Sequence, residues 1–408
     1  MRWWIVAMIC AGTIVNYLSR NTLGVLAPVL KSELGFTTED YSYVVGAFQA
    51  AYTVMQPVCG FVLDTLGVRA GFALFALLWS AASCAHVLAG GWMALAAFRG
   101  WLGLTEAAAI PAGVKAIAEW FPARQRSIGI GFINVGTSLG AMLAPPMVIY
   151  LNLHFGWHAA FLVTGGAGFL FAVMWWCGYR PPSRHPLVGE AERAMIAAGK
   201  ALPLAAKPAL GRILKNRRFW GVAFPRFMFE PAWQTFTFWI PLYLSTVRHM
   251  DLSEIALFAW MPFLAADLGS VCGGFISPFY MKVFGAGLIN SRLAGVATGA
   301  LLMIGPGCIG LAADGATAVA LFCIGGFAHQ MISSLINTLA ADNFGSHEVA
   351  TVTGLAGTAA WTAGLGFSLV VGALADTVGY NPLFVCLSVF DLIGAGAAIM
   401  LLREPRSL

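Results

Sequence analysis

Apolar stretches of spanning length recur from one end of this chain to the other. They fall at 3–30, 41–65, 70–90, 92–118, 126–152, 157–178, 218–246, 255–280, 292–312, 316–340, 348–374 and 380–402. A helix rises about 1.5 Å per residue, so roughly 20 apolar residues cross a hydrocarbon layer about 30 Å thick. In that solvent every backbone N–H and C=O must be satisfied by protein, and runs of this length do so as helices. Six runs, a hydrophilic stretch at 179–217 and six further runs predict an all-α membrane protein. Its twelve transmembrane helices form two pseudo-symmetric six-helix halves, 1–178 and 218–408, joined by a central loop.

Composition excludes most other classes. Only 10% of residues are charged and 59% are hydrophobic, whereas a soluble chain carries about 25% charged residues. The 47 glycines suit helices that pack closely in lipid. The net charge of +5 is not a nucleic-acid footprint, because the basic residues sit in connecting loops. None of the eight cysteines forms a CxxC and nearly all lie in apolar runs, which reads as small buried hydrophobes. The first run is too long for a signal-peptide core and lacks a typical cleavage site, so no cleavable leader is expected. No GxxxxGK[ST] loop occurs, and the longest hydrophilic segment cannot house a nucleotide-binding domain. Neither a cofactor, a metal, a nucleotide nor a nucleic acid is expected as a partner, and transport, if that is the function, must run on a gradient.

Basic residues set the expected topology. With a cytoplasmic N-terminus, the inner loops hold Arg69, Arg124, Arg126, Lys282 and Arg292. They also hold Arg180, Arg184, Arg193, Lys200, Lys207, Arg212, Lys215, Arg217 and Arg218 of the central stretch, with Arg403 and Arg406 in the tail. The outer loops keep only Lys31 and Arg248. Both termini and the central loop are therefore placed in the cytoplasm. The halves repeat weakly: Arg2-Trp3-Trp4 answers Arg218-Phe219-Trp220, and Glu119, Phe121 and Gly131 align without a gap on Asp342, Phe344 and Gly354. Two like-oriented halves are a parallel transporter repeat, with the substrate site expected between them near the bilayer midplane.

Charges inside spans carry the functional information, since each costs a few kcal/mol or more unless paired or wetted. They are Arg20, Arg99, Glu106, Lys115, Arg226, Glu230 and Asp267. Arg20 follows Asn16-Tyr17-Leu18-Ser19, and its planar fork suits a carboxylate; the alternative is a structural tie to a backbone carbonyl or to Glu106. Arg99 and Glu106 lie seven apart and share a helix face. Desolvation and a nearby arginine pull such a carboxyl in opposite directions, as a proton carrier requires; a permanent ion pair is the alternative. Arg226 and Glu230 lie four apart and are expected to pair, either as structure or as cavity lining beside Trp233. Asp267 sits on a glycine-rich face and reads as packing or gating. Lys115 reads as a snorkelling, structural residue. His329 is the repeat counterpart of Glu106, equally consistent with a core or a cavity role. Tyr52, Gln49, Gln56 and Trp361 are further cavity candidates, because aromatic faces stack on sugar rings and amides read hydroxyls.

The loop Gly60-Phe-Val-Leu-Asp64-Thr-Leu-Gly67-Val-Arg69 matches the GxxxDxxGxR signature of the major facilitator superfamily. Asp64 can accept from a neighbouring helix N-terminus and Arg69 can pair with it, giving either a latch that opens in alternating access or a fixed turn. From about Trp3 to Leu402 the chain resembles the anion:cation symporter family of that superfamily, and within it the bacterial hexuronate transporters. The carrying stretches include 17–22, 51–57, 106–111, 119–123, 225–233, 258–262, 323–330 and 371–377. The resemblance implies that Arg20 binds the substrate carboxylate, Glu106 carries a proton and Tyr52 contacts the sugar acid. Ser19 stands where some relatives have a second acid, which argues against two-proton coupling. Thr137 stands where some have a sugar-binding glutamine.

The expected function is proton-coupled import of hexuronates, such as galacturonate and glucuronate, across a bacterial inner membrane. The substrate set is Arg20, Tyr17, Tyr52, Gln49, Thr137, Asn134, Arg226, Trp233, His329 and Trp361. Glu106 and Glu230 couple protons, and Asp64, Arg69, Arg99 and Asp267 serve gating or structure. The rivals are a symporter of another sugar acid or dicarboxylate, an organic-phosphate exchanger, a membrane-embedded enzyme and a non-transporting membrane sensor. No metal cluster, nucleophile–base pair or appended signalling domain supports the last two, so the chain is read as a non-enzyme.

Overall fold

The computed structural model describes residues 1–198, 210–250, 258 and 260–404. Lys200, Lys207 and Arg406 of the predicted cytoplasmic charge, and the start of the run predicted at 255–280, lie outside the described residues. The described chain is helical: α1 Arg2–Leu34, α2 Thr38–Leu66, α3 Val68–Ala85, α4 Trp92–Glu106, α5 Ala109–Trp120, α6 Arg126–Phe155, α7 Trp157–Gly178, α8 Glu190–Ala198, α9 Leu210–Lys215, α10 Arg217–Thr246, α11 Met261–Phe284, α12 Leu288–Leu302, α13 Ile304–Gly307, α14 Gly315–Asn343, α15 Val349–Val378 and α16 Tyr380–Leu402. Eight helical segments of the described residues are long and apolar enough to cross a membrane. Their lipid-facing character shows in side chains such as Leu153, Leu170 and Met400, each more than 70% exposed, where a soluble surface would carry polar groups.

Local chemistry sets the helix ends. Gly35 terminates α1 in the left-handed region at φ 64°, a conformation that costs a Cβ-bearing residue energy. Thr37 then opens α2 with a reciprocal capping box: its hydroxyl accepts from the Asp40 N–H while the Asp40 carboxylate accepts from the Thr37 N–H at 2.8 Å.

The predicted run 92–118 is not one helix. It breaks at Ala107–Ala108, immediately after Glu106. Pro111 is the cause: it has no N–H to offer the Ala107 carbonyl, and its ring crowds that carbonyl. The run 292–312 breaks in the same way at Met303, three residues before Pro306, which has no N–H to offer the Leu302 carbonyl. Broken helices place irregular backbone inside protein, where a carrier builds its binding groups.

By internal packing the described residues fall into two units. The first comprises Met1–Pro122, Val135–Pro208 and Phe344–Leu355; the second comprises Ala123–Asn134, Ala209–Asn343 and Ala356–Leu408. Within the first, Gly103 lets α4 approach α2 so closely that a Cβ there would stand 2.5 Å from the Phe48 carbonyl oxygen. Within the second, Gly269 brings α11 against α14, and a Cβ would meet the Phe327 carbonyl oxygen at 1.9 Å. Gly24 of α1, by contrast, has open space around it.

Gly269→Ala is expected to destabilise by at least the 1–3 kcal/mol typical of overpacking, roughly, because the atom in the way is backbone. Gly24→Ala is expected to be neutral or stabilising by up to about 1 kcal/mol. Thermal unfolding of the purified protein in one detergent checks both, and equal shifts would show that the α11–α14 approach is not as tight as described.

Candidate functional site

The predicted residues gather into two clusters, one in each unit. In the first unit, α1 is a helix through its whole length, so Asn16 and Arg20 lie one turn apart on one face. Arg20 Nη2 donates to Asn16 Oδ1 at 3.3 Å, and Arg20 Nε donates to Glu106 Oε2 at 3.0 Å. The glutamate is fully buried and the arginine side chain only 12% exposed. Three aromatic faces surround the guanidinium, with centroids 4.5 Å (Tyr17), 5.2 Å (Phe48) and 4.8 Å (Tyr52) from its carbon. Desolvated cation–π contacts of this kind are worth about 2 kcal/mol.

Arg99 is buried, and it does not pair with Glu106. Its Nη2 donates to the Arg20 carbonyl oxygen at 2.8 Å, and its guanidinium carbon lies 5.0 Å from the Phe48 ring centroid. The partner of Glu106 is therefore Arg20, on a different helix, rather than the arginine two turns back on its own. Glu106 Oε1, Ser19 Oγ, Asn16 Nδ2 and Arg99 Nη1 are buried with no partner among the described residues. Buried polar atoms are normally hydrogen-bonded, so these four are exceptions among the described residues.

In the second unit Arg226 donates to Asn337 Oδ1, while Glu230 accepts from Gln234 Nε2 at 3.4 Å. The expected Arg226–Glu230 pair is thus replaced by one hydrogen bond to α14 and one within α10. A shared helix face allows a pair without requiring it, and Asn337 offers the arginine a partner on the neighbouring helix. Trp233 stacks on His329 at 5.4 Å and 15°, with Phe263 edge-on to it at 5.8 Å. The His329 Nδ1 is buried without a partner among the described residues. Gly364 of α15 fits against Gln234 and Glu230, where a Cβ would come within 2.5 Å of Gln234 Cγ.

Gln49 and Trp361 are half-buried, and Asn134, Thr137 and Asp267 are buried. Gln56 is also buried, with its Nε2 unpartnered among the described residues.

The signature loop is corrected in one pairing. Arg69 does not bond Asp64; it donates to the Trp176 carbonyl oxygen at 2.9 Å and lies over the Trp176 ring. Asp64 instead accepts from Lys115 Nζ at 2.8 Å and from the N–H and hydroxyl of Thr351 at 2.7 and 2.6 Å, in the first turn of α15. Lys115 is likewise no snorkelling residue: it is buried and also donates to the Leu63 carbonyl oxygen at 2.9 Å.

A second buried charge network escaped the sequence reading. Asp342 bridges Arg126 at 3.0 Å and Arg292 at 3.3 Å. Arg292, assigned above to a loop, has no exposed surface and also donates to the Ser127 hydroxyl at 2.9 Å and the Ala123 carbonyl oxygen at 2.8 Å. Charge near a span end reads as loop in one dimension, and only packing shows that it is enclosed. The alignment of Asp342 on Glu119 was the available signal. Asp391 was also passed over, the one charged residue inside the run at 380–402.

Residues 9–368 match the Major Facilitator Superfamily family model. The chain is 50% identical over 399 residues to a hexuronate transporter of Escherichia coli (strain K12), covering 97% of this chain and 92% of that protein. It is 45% identical over 315 residues to a galacturonate transporter of Dickeya chrysanthemi, covering 76% of this chain and 91% of that one. Among solved structures, the proton:xylose symporter XylE superposes with a TM-score of 0.76 at 14% identity, over 99% of this chain and 96% of that chain. The human organic anion transporter MFSD10 (TETRAN) superposes with a TM-score of 0.73 at 17% identity, over 97% and 99%. The chain is a multi-pass membrane transporter that belongs to the Major Facilitator Superfamily.

Removing one partner of the Arg20–Glu106 pair leaves a buried charge unpaired, which typically costs about 3–5 kcal/mol. Arg20→Gln and Glu106→Gln are each expected to destabilise, and the double variant to recover part of the loss. A double-mutant cycle on thermal stability measures the coupling, and additive losses would mean that the pair does not form.

Proposed function

We propose that this protein is a proton-coupled symporter that imports hexuronates, galacturonate and glucuronate among them, across a bacterial inner membrane, with twelve spans and both termini in the cytoplasm. The observation that carries the reading is the buried Arg20–Glu106 pair within its ring of Tyr17, Phe48 and Tyr52. The 50% identical hexuronate transporter supports the substrate class.

The pair supplies a coupling chemistry. A guanidinium is the preferred partner for a carboxylate because two N–H groups can meet two oxygens. Here Glu106 holds Arg20 Nε, so a substrate carboxylate must compete with it. A proton arriving on Glu106 removes that competitor's charge and frees the guanidinium for the anion. Proton and anion then favour one another's binding, which is the linkage a symporter needs. With the anion on Arg20 and the proton on Glu106, the cluster carries the same net charge as before, and alternating access returns it to the other side. The tyrosine faces bracket the sugar ring. Moving one negative charge inward against 100 mV costs about 2.3 kcal/mol, and a co-moving proton cancels it. Ser19 supplies no second acid beside Arg20, which favours one proton per substrate. Asp64, with Lys115 and Thr351, serves as a latch that releases during the cycle, and Arg69, Arg99 and Asp267 hold the structure around it.

Arg20→Lys keeps the charge but loses the fork, and substrate binding is expected to weaken at least about tenfold, or 1.4 kcal/mol. Calorimetry with galacturonate checks this, and wild-type affinity would remove Arg20 from the site. Glu106→Gln mimics the protonated acid, so it is expected to bind and exchange substrate down its own gradient yet fail to accumulate it with a proton gradient. Uptake into proteoliposomes, with voltage and pH clamped separately, tests that expectation. Wild-type accumulation by Glu106→Gln would remove it as the proton carrier, and strong stimulation by inside-negative voltage at zero pH gradient would refute one-proton coupling.

A further inference from the structure

The second unit contains a carboxyl that the chemistry above does not use. Asp391 lies at the middle of α16, the segment with the highest mean hydropathy among the described spans, 2.2. Its side chain has no exposed surface, and neither of its oxygens has a hydrogen-bond partner among the described residues.

Its surroundings explain the isolation. One turn before it, the Ser388 hydroxyl is committed to the Met303 carbonyl oxygen at the α12–α13 break. One turn after it, Gly394 abuts Phe229 and Met228 of α10. Asp391 therefore stands in the seam of α16 with α10 and with the α12–α13 corner. The titratable groups of those elements bond elsewhere or, like Arg218, Cys308 and Cys386, are exposed. On α10, Arg226 bonds Asn337, Glu230 bonds Gln234 and Tyr243 accepts from Arg248. Arg217, at the start of α10, donates to the Met400 carbonyl oxygen, more than two turns beyond Asp391. Arg292 of α12 belongs to the Asp342 network. Cys308, between α13 and the following turn, and Cys386 of α16 itself are both exposed, and Tyr380 of α16 rings against Tyr243.

An ionised carboxylate in such a seam would forgo several kcal/mol of hydration with nothing to replace it. A metal cation would need several oxygens at once, and the Ser388 hydroxyl one turn away is already bonded. A proton needs no further ligand. We propose that Asp391 is a second proton-binding site of this protein, separate from Glu106, where a resident proton keeps the α16 seam neutral and closed. The consequence is a pH-sensitive joint. An aspartate in the unfolded chain ionises in the ordinary acidic range, so the folded protein binds one proton more than the unfolded chain above that range. Stability then falls as pH rises, and stripping the proton loosens α16 from α10.

Both readouts use purified full-length protein without substrate, so they stand or fall independently of the transport reading. In infrared difference spectra at neutral pH, a protonated-carboxyl C=O band is expected in wild type and in Glu106→Gln, and it is expected to be lost in Asp391→Asn. In melting curves taken from neutral to alkaline pH, wild type is expected to lose stability more steeply than Asp391→Asn. Asp391→Leu, which asks for no polar partner in an apolar seam, is expected to match Asp391→Asn and replaces it if the amide variant does not fold. An ionised-carboxylate signature assigned to Asp391 at neutral pH, or the same alkaline loss in wild type and both variants, would overturn the proposal.

Discussion

The hydrocarbon around this protein offers no hydrogen bonds, so every polar group inside a span has to be satisfied by the chain itself or left available for a ligand. The Arg20–Glu106 pair meets that requirement across two helices, and the rest of the first cluster is arranged around it. Gly103 brings α2 close to α4, which places Phe48 and Tyr52 over the guanidinium. Arg99 holds the backbone carbonyl of Arg20 itself. The Pro111 break ends α4 at Glu106, so the carboxyl sits at a helix terminus rather than inside a regular ladder.

The other buried charges obey the same constraint by different means. Asp64 is shared by Lys115 and the first turn of α15, and Asp342 is shared by Arg126 and Arg292. In each case one carboxylate serves several donors, which reduces the number of ions that must be desolvated. Each lies at the end of a span, where the chain leaves one helix for the next. The Arg20–Glu106 pair differs: one carboxylate oxygen is bonded and the other is not. Among the described residues, that incompleteness sets Glu106 apart from Asp64 and Asp342, both of whose carboxylate oxygens are bonded.

Much of this was legible in one dimension. Spacing placed most helices to within a few residues, and the rarity of intramembrane charge singled out Arg20, Glu106, Arg226 and Glu230. What failed did so for identifiable reasons. Periodicity reports that Arg226 and Glu230 share a face, but says nothing of Asn337 on the neighbouring helix, which takes the arginine. A loop motif suggested that Arg69 pairs with Asp64, whereas Lys115, fifty-one residues further along, reaches it first. A run of apolar residues does not disclose its own break, so the end of α4 at Glu106 had to be seen.

By itself the sequence determined that this chain is helical, that it lives in a membrane and which few charges its spans must accommodate. Those follow from composition and spacing, because the length of an apolar run and the cost of a buried charge are properties of the residues and the solvent alone. Only the tertiary structure decided the partners: Arg20 with Glu106, Lys115 with Asp64, Arg292 with Asp342, and Asp391 with no side chain among those described. Pairing across helices depends on which faces meet and at what depth, and that is a property of packing that no local pattern carries.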